Sequence, residues 1–352
     1  MNYFIFKTSL KDSSHFIIPS LPSCKQINMK IISNRIFLTA LIIAAFTMSS
    51  CNHKRDTAGA GDQLKGKITI SGAFALYPLT VKWAEEFHKL HPRVTINISA
   101  GGAGKGMADA LSKMVDLGMY SKEPSPEERA KGAWLIASAK DAVLPVMNSS
   151  CQFIAHIRSK GMTKQKLYDI FITEKIKTWG QLLGSASKEE LLVFTRSDAC
   201  GAADMWAKFL NNKKQEDLEG LGVNGDPGVA DAVRKNVYGI GYNNLNFIFD
   251  MQTRKPYPGL TVIPIDLNAD GVINKEENFY GTLDEVMSAI NSGLYPSPPA
   301  RQLYFVSGGK PTSKLVVKFL QWVLTDGQKF VGEAGYVTLK ENKLKEELAK
   351  LN

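Results

Sequence analysis

Three segments of this chain share one order of strand, small-residue loop and helix. In each, an apolar strand-like run ends in a loop rich in glycine, alanine and serine, which opens into a run with apolar residues at helical spacing. Loops of this kind gather at the carboxyl ends of parallel strands in an open sheet. The pattern therefore predicts an α/β fold with the three loops close together. The strand-like runs are 67–71, 94–99 and 191–194, and the loops are 71–79, 99–107 and 195–201.

The third loop adds a cation to this arrangement. It contains Arg196 and Asp198 and leads into the helix-like run 202–210. A helix start supplies free backbone N–H groups, and a guanidinium is a planar donor that matches a tetrahedral oxyanion. Together with the two glycine-rich loops, it predicts an anion pocket in which the ligand chiefly balances the charge of Arg196. For this loop taken alone, the alternative is a surface turn in which Arg196 pairs with Asp198.

The sequence offers little for catalysis or for nucleic-acid binding. The loop 99–106 fails as a P-loop, because Ser99 replaces the first glycine and Gly106 replaces the Mg²⁺-binding hydroxyl. The net charge of +9 includes no long basic run, which disfavours nucleic acid as a partner. We predict a protein that is not an enzyme. Cys200 near Arg196 keeps one alternative open, a hydrolytic or phosphoryl-transfer enzyme whose thiolate is activated by the cation.

The first 65 residues carry targeting signals. Residues 29–50 combine a basic start with an apolar run too short to span a membrane comfortably, which predicts a signal peptide. The small residues before Cys51 resemble a lipobox, which implies that Cys51 becomes the diacylated first residue; ordinary cleavage beside an incidental cysteine is the alternative. Residues 1–28 are then an over-extended start, and residues 51–65 a lipidated, flexible tether. We predict an extracytoplasmic, membrane-anchored lipoprotein that faces the periplasm.

The rest of the chain carries motifs of one transporter family. Their order and spacing resemble the phosphate-binding proteins of ABC transporters at 70–79, 115–123, 195–201, 239–242 and 301–304. The resemblance implies two α/β lobes, as in periplasmic binding proteins, joined by crossover hinge strands. Lobe 1 would comprise 66–146 plus 258–352, and lobe 2 would comprise 147–257. It implies a protein, expected to be a monomer, that captures inorganic phosphate between its lobes and delivers it to an ABC transporter permease without an organic cofactor.

The resemblance also implies a set of ligand-binding residues, in which several side chains depart from the family. Hydroxyls common in the family are replaced at Phe74, Ala103, Cys200 and Ala202, and each lost donor to a charged acceptor costs about 1.5–3 kcal/mol. Ser121 stands where many members have a proton-accepting carboxylate, for which Glu123 is a candidate substitute. Phosphate is the preferred ligand, and a different anion on the same fold is the alternative. The implied ligand-binding residues are Phe74, Ala75, Gly102, Ala103, Ser121, Arg196, Asp198, Cys200, Gly201 and Ala202.

A second motif, at residues 266–277, is independent of the first site. The segment satisfies D-x-[DN]-x-[DN]-G-x5-E, the pattern of a calcium-binding loop with its sharp turn at Gly271. A strand-like run precedes it where a paired EF-hand has a helix, so we expect a structural Ca²⁺ and not a sensor. An acidic surface turn without metal is the alternative. The expected ligands are Asp266, Asn268, Asp270, the carbonyl of Val272, Asn274 and Glu277.

Overall fold

The structure, a computed structural model, describes residues 64–352, in which eleven strands form a nine-stranded and a two-stranded sheet. The predicted signal peptide, the lipidation site at Cys51 and the tether as far as residue 63 lie outside the described residues. The strands are β1 (Gly66–Gly72), β2 (Val94–Ala100), β3 (Leu117–Tyr120), β4 (Ala133–Asn148), β5 (Met162–Thr163), β6 (Leu192–Arg196), β7 (Leu221–Val223), β8 (Gly239–Asn244), β9 (Leu260–Val262), β10 (Ile265–Asp266) and β11 (Ala300–Gly308).

Helices follow most of these strands. Several begin at side-chain caps, and Thr178 and Thr282 each form a capping box with the residue three positions on. Within residues 64–352, no helix combines the length and the apolar character needed to cross a membrane. The helices are α1 (Tyr77–Leu90), α2 (Ala103–Leu111), α3 (Pro126–Ala130), α4 (Ile154–Lys160), α5 (Lys164–Phe171), α6 (Trp179–Leu183), α7 (Gly201–Phe209), α8 (Gly225–Lys235), α9 (Leu245–Ile248), α10 (Leu283–Ser292), α11 (Lys314–Leu324) and α12 (Glu341–Ala349).

The large sheet has two parallel ends connected by two long antiparallel strands. Its order is β2-β1-β3-β11-β4-β8-β6-β7, with β9 paired to β4. At one end β1 is parallel to β2 and β3, and at the other end β6 is parallel to β7 and β8. Strand β4 is 16 residues long and pairs with β11 along its first half and with β8 along its second half. The structure therefore confirms the predicted α/β fold with crossover strands.

Two hydrophobic cores lie on the two halves of this sheet. The first core includes Trp83, Phe87, Phe305, Phe319 and Tyr336, and the second includes Phe171, Trp179, Trp206, Tyr242 and Phe249. Strand β4 passes from the first core to the second between Ala139 and Ala142. The chain is thus built as two lobes, each with its own core.

One boundary differs from the sequence-based division. We expected the chain to return to lobe 1 at residue 258, but the buried side chains of 260–300 pack in the second core. The reason is strand pairing: β9 pairs with Val146–Asn148 at the far end of β4, and β10 pairs with β5. The return to the first core occurs within β11, between Ala300 and Leu303.

Candidate functional site

The small-residue loops meet where the two lobes face each other. Gly101 and Gly102 each donate their N–H to the carbonyl oxygen of Gly72, at 2.9 and 3.1 Å, which joins the first two loops. The N–H of Gly104 donates to the carbonyl oxygen of Ala199 at 3.1 Å, which links the second loop to the arginine loop. The structure therefore brings together loops that lie about 100 residues apart in the sequence.

Helix starts line this junction. Ala103 is the first residue of α2, and Gly201 and Ala202 are the first two residues of α7. Residues in a first helical turn have no acceptor for their N–H within the helix. Gly102, which precedes α2, has φ of 87°, and a Cβ there would lie 2.8 Å from Asp198 Oδ2. Glycine at this position lets the α2 start approach the Asp198 carboxylate.

The arginine of the third loop is buried and paired with two carboxylates. Its side chain is only 1% exposed. Arg196 donates from Nε to Asp198 Oδ1 at 2.7 Å and from Nη2 to Asp198 Oδ2 at 2.5 Å, while Nη1 donates to Asp226 Oδ2 at 2.8 Å. The expectation that a ligand chiefly balances Arg196 is therefore wrong. The expected pairing with Asp198 is present, but inside the protein and not in a surface turn.

A second buried arginine supports this cluster from β11. Arg301 Nη1 donates to the carbonyl oxygen of Gly201 at 3.0 Å, and its Nη2 donates to the side-chain oxygen of Asn244. Asn244 in turn donates from Nδ2 to Asp226 Oδ1 at 2.5 Å. These contacts tie the crossover strand to the start of α7. Sequence reasoning missed Asp226, Asn244 and Arg301 as parts of the site, although an arginine next to Ala300 in a largely apolar strand is a usable signal.

Burial and the nearby arginines have opposite effects on the pKa values of Asp198 and Asp226. Burial raises the pKa of Asp198, but the hydrogen bonds and charge of Arg196 outweigh this, and the net pKa is lowered. For Asp226, burial is the largest effect and raises the pKa despite Arg196 and Arg301. Asp198 is therefore the firmly ionised partner of Arg196.

Cys200 has a structural position at the start of α7. Its Sγ accepts a hydrogen bond from the N–H of Ala203 at 3.4 Å and caps the helix. Burial raises the pKa of the thiol to about 11, and the opposing effect of Arg196 is smaller. The thiol is protonated at neutral pH, which disfavours the alternative of an enzyme whose thiolate is activated by Arg196. Cys151 and Cys200 are both buried and form no disulfide.

Three residues considered for the anion site, Phe74, Glu123 and Ser121, have different surroundings in the structure. Phe74 lies with its ring centroid 5.6 Å from Arg196 Cζ, a cation–π contact. Glu123 is 64% exposed; it accepts a hydrogen bond from the Tyr304 hydroxyl and lies 3.5 Å from Arg129. Its carboxylate is thus held by residues outside the junction of the loops. Ser121 is buried beside Gly201, where a Cβ would lie 2.4 Å from its Oγ.

The predicted Ca²⁺ ligands of the loop 266–277 differ in type and in burial. In the described part of the chain, no group of three or more histidine, cysteine, aspartate and glutamate side chains is arranged to hold a metal. The ligands expected in this loop also include two asparagines and a backbone carbonyl. Asp266 and Glu277 are buried, whereas Asn268 and Asp270 are exposed.

A pH-dependent stability follows from Asp141 on β4. Its Oδ2 lies 3.6 Å from Arg301 Nη2, and burial raises its pKa to about 7 although Arg301 lowers it. The folded protein therefore keeps a proton that an unfolded aspartate releases near pH 3.9. As pH rises from about 4 to 7, the free energy of unfolding should fall by up to about 1.4 kcal/mol per pH unit. We expect Asp141→Asn to remove this slope in urea denaturation at pH 5 and pH 7; equal slopes in both proteins would contradict the assignment.

The fold and the pocket of helix starts define a two-lobed binding protein. The chain belongs to the PBP superfamily: the model of the PBP superfamily domain matches residues 57–327. It is 24% identical to the phosphate-binding protein PstS of Methanocaldococcus jannaschii, over 86% of this chain and 90% of that protein. It is also 24% identical to the phosphate-binding protein PstS of Staphylococcus haemolyticus, over 89% of this chain and 95% of that protein.

A solved structure shares the fold. A phosphate ABC transporter substrate-binding protein with bound phosphate from Clostridium perfringens superimposes with a TM-score of 0.63 at 21% identity, covering 78% of this chain and all of that chain. The predicted family resemblance is confirmed by these comparisons. The relatives are binding proteins, which also confirms the prediction of a protein that is not an enzyme.

Proposed function

We propose that this protein captures inorganic phosphate between its two lobes and delivers it to an ABC transporter permease. The observation that carries the proposal is the meeting of the α2 and α7 starts beside the buried guanidinium of Arg196. Free N–H groups at helix starts form an anion site without further side chains. The names of the relatives, phosphate-binding proteins, point to the same ligand.

The pocket retains enough donors for a phosphate despite its missing hydroxyls. A guanidinium has five N–H groups, and Arg196 uses three of them on Asp198 and Asp226. Two N–H groups remain for a ligand. The backbone N–H groups of Ala75, Ala103, Gly201 and Ala202 are independent of the side-chain replacements. We therefore assign recognition mainly to the backbone, with the Ser121 hydroxyl as an additional donor.

The acids beside Arg196 favour an anion that carries a proton. When Asp198 and Asp226 are both ionised they balance the charges of Arg196 and Arg301, so the cluster has no net positive charge, and the carboxylate of Asp198 faces the α2 start. A fully ionised sulfate placed there is repelled, whereas hydrogen phosphate can donate its proton to a carboxylate. Asp198 is the acceptor we assign, because a Cβ at Gly102, directly before α2, would lie 2.8 Å from its Oδ2. Asp198 therefore replaces Glu123 as the candidate acceptor for the proton of hydrogen phosphate.

Calorimetric titration of the purified protein with phosphate and with sulfate tests the proposal. We expect one phosphate per chain and an affinity for sulfate at least 100-fold lower, because a like-charge contact costs several kcal/mol. Equal affinities would assign the pocket to oxyanions in general. Absence of heat with phosphate, sulfate and arsenate would refute an anion-binding function.

We also propose that the binding protein is held at the membrane by a lipid on Cys51, which lies outside the described residues. The lipobox-like residues before Cys51 and the polar tether after it support this. A tethered carrier stays close to a permease, which raises its local concentration there. Mass analysis of the N-terminal peptide would reveal the acyl chains, and an unmodified Cys51 in protein from the native membrane would refute the anchor.

A further inference from the structure

The loop 266–277 contains a buried carboxylate oxygen that lacks a hydrogen-bond partner. Asp266 is 2% exposed, and its Oδ2 accepts from the N–H of Gly271 at 2.9 Å. Its other oxygen, Oδ1, is buried and has no hydrogen-bond partner. A buried polar atom left in this way costs free energy unless a ligand satisfies it. Since Oδ2 is bound to the N–H of Gly271, the unpartnered Oδ1 of the same carboxylate adjoins the loop.

The side chains at positions 3, 5 and 9 of the loop already face one another. Asp270 Oδ2 accepts from Nδ2 of Asn268 at 3.1 Å and from Nδ2 of Asn274 at 3.0 Å. A half-turn of either amide about its last bond presents an oxygen in place of the nitrogen. The same three residues can therefore surround a cation with oxygen atoms.

The last residue of the motif joins the two ends of the loop. Glu277 is 6% exposed; its Oε1 accepts from the N–H groups of Leu267 and Asn268 at 2.8 and 3.2 Å. Its Oε2 accepts from the N–H of Asn274 at 3.3 Å. The loop is thus folded around its own acids. Asp266, Asp270 and Glu277 place three negative charges within twelve residues, a charge that suits a divalent cation.

The loop is docked on the second lobe through its eighth residue. Ile273 donates its N–H to the carbonyl oxygen of Ser159 at 2.9 Å, and its side chain packs over Gly161, where a Cβ would clash with it at 2.4 Å. The first residue of the loop belongs to β10, which pairs with β5 directly after Gly161. Both contacts reach one segment, which comprises the last turn of α4 and the residues directly after it. Ordering the loop therefore orders this part of the lobe.

We propose that residues 266–277 bind one Ca²⁺, which stabilises the second lobe by holding β10 and Ile273 against the segment 159–163. Within the described residues, the three carboxylates are not gathered as a metal site, so binding requires the loop to close around the ion. The oxygen ligands are then supplied by the carboxylates of Asp266, Asp270 and Glu277, the amide oxygens of Asn268 and Asn274 and the carbonyl of Val272. A flexible set of six or more oxygens suits Ca²⁺, whereas Mg²⁺ demands octahedral geometry and gives up its waters reluctantly. The site lies outside the anion pocket and needs no ligand there.

Calorimetry and thermal unfolding of the chelator-treated protein in phosphate-free buffer test this site. We expect one Ca²⁺ per chain, binding at least tenfold tighter than Mg²⁺. At a Ca²⁺ concentration 100 times Kd, the melting temperature should rise by about 5 °C. No heat and no shift in melting temperature at millimolar Ca²⁺ would overturn the proposal, and so would equal affinities for the two ions.

Neighbouring glutamates provide a matched pair of variants. Glu277→Gln removes a charge at the twelfth position and should weaken Ca²⁺ binding at least tenfold, whereas Glu276→Gln removes the same charge from an exposed side chain and should leave the affinity within twofold. Asp270 is exposed, so Asp270→Asn keeps the test valid if Glu277→Gln fails to fold. Wild-type Ca²⁺ affinity in Asp270→Asn would overturn the proposed ligand set. Phosphate titration of the same variants should be unchanged.

Discussion

Replacing Arg196 with alanine is expected to abolish phosphate binding and to lower the free energy of unfolding by about 3–5 kcal/mol. The change removes the guanidinium from the pocket and also leaves Asp226, which is 2% exposed, without its positive partner. Breaking one side of a buried ion pair is costly because the remaining charge stays desolvated. Phosphate calorimetry and urea denaturation would measure the two effects separately.

Two further variants define how Arg196 acts. Arg196→Lys keeps the charge but lacks the fork that bonds Asp198 and Asp226 together, so we expect a smaller loss of stability and a loss of affinity of at least tenfold. Arg129→Ala is the surface control, since Arg129 and its partner Glu123, 3.5 Å apart, have side chains that are 59% and 64% exposed. That change should cost no more than about 1 kcal/mol and leave phosphate affinity unaltered. Unchanged stability of Arg196→Ala would mean that the buried carboxylates are protonated.

The helix starts of the site could be predicted because each depends only on a short stretch of sequence. A strand followed by small residues and a helix identifies the α2 and α7 starts, whose free N–H groups depend only on local geometry. The placement of the loops at one junction follows from the carboxyl-end rule for parallel strands. The approach of Gly104 to Ala199 in the structure agrees with that expectation.

The charge balance of the site could not be predicted in this way. Asp226 lies 30 residues after Arg196, and only the packing of α8 against β6 and β8 brings the two together. The neighbour Asp198, two residues away, was visible in the sequence. From that pair alone, a ligand was the natural remaining partner for the guanidinium. Because of this second acid, Arg196→Ala is expected to be strongly destabilising, an effect that charge balance by a ligand would not produce.

The predicted position of the lobe boundary was wrong for a related reason. Segment 258–300 contains short strands, and a short strand can pair with either half of a long crossover strand. The pairing of β9 with the far end of β4 is determined by tertiary packing, which the sequence pattern does not reveal. Its consequence is that the proposed Ca²⁺ loop stabilises the second lobe and not the return to the first.

Placing a methyl group at Gly201 is expected to weaken phosphate binding by at least tenfold, while each lobe stays folded. A Cβ at this position would lie 2.3 Å from the carbonyl oxygen of Ser121 and 2.4 Å from its Oγ. Ser121 follows β3 in the first lobe, whereas Gly201 begins α7 in the second. Gly201→Ala therefore forces the lobes apart at the site where both must contact one anion, and overpacking of this kind costs about 1–3 kcal/mol.

A glycine in the neighbouring helix supplies the control for this effect. At Gly228 in α8, the nearest atom to an added Cβ is Val223 Cβ at 3.7 Å, an ordinary contact. Gly228→Ala should leave phosphate affinity within twofold and should stabilise the helix by up to about 1 kcal/mol. Because the closest atom at Gly201 is a backbone oxygen, adding Ser121→Ala to Gly201→Ala should not restore affinity. Full recovery in that double variant would show that the hydroxyl, and not the approach of the two lobes, sets the limit at this position.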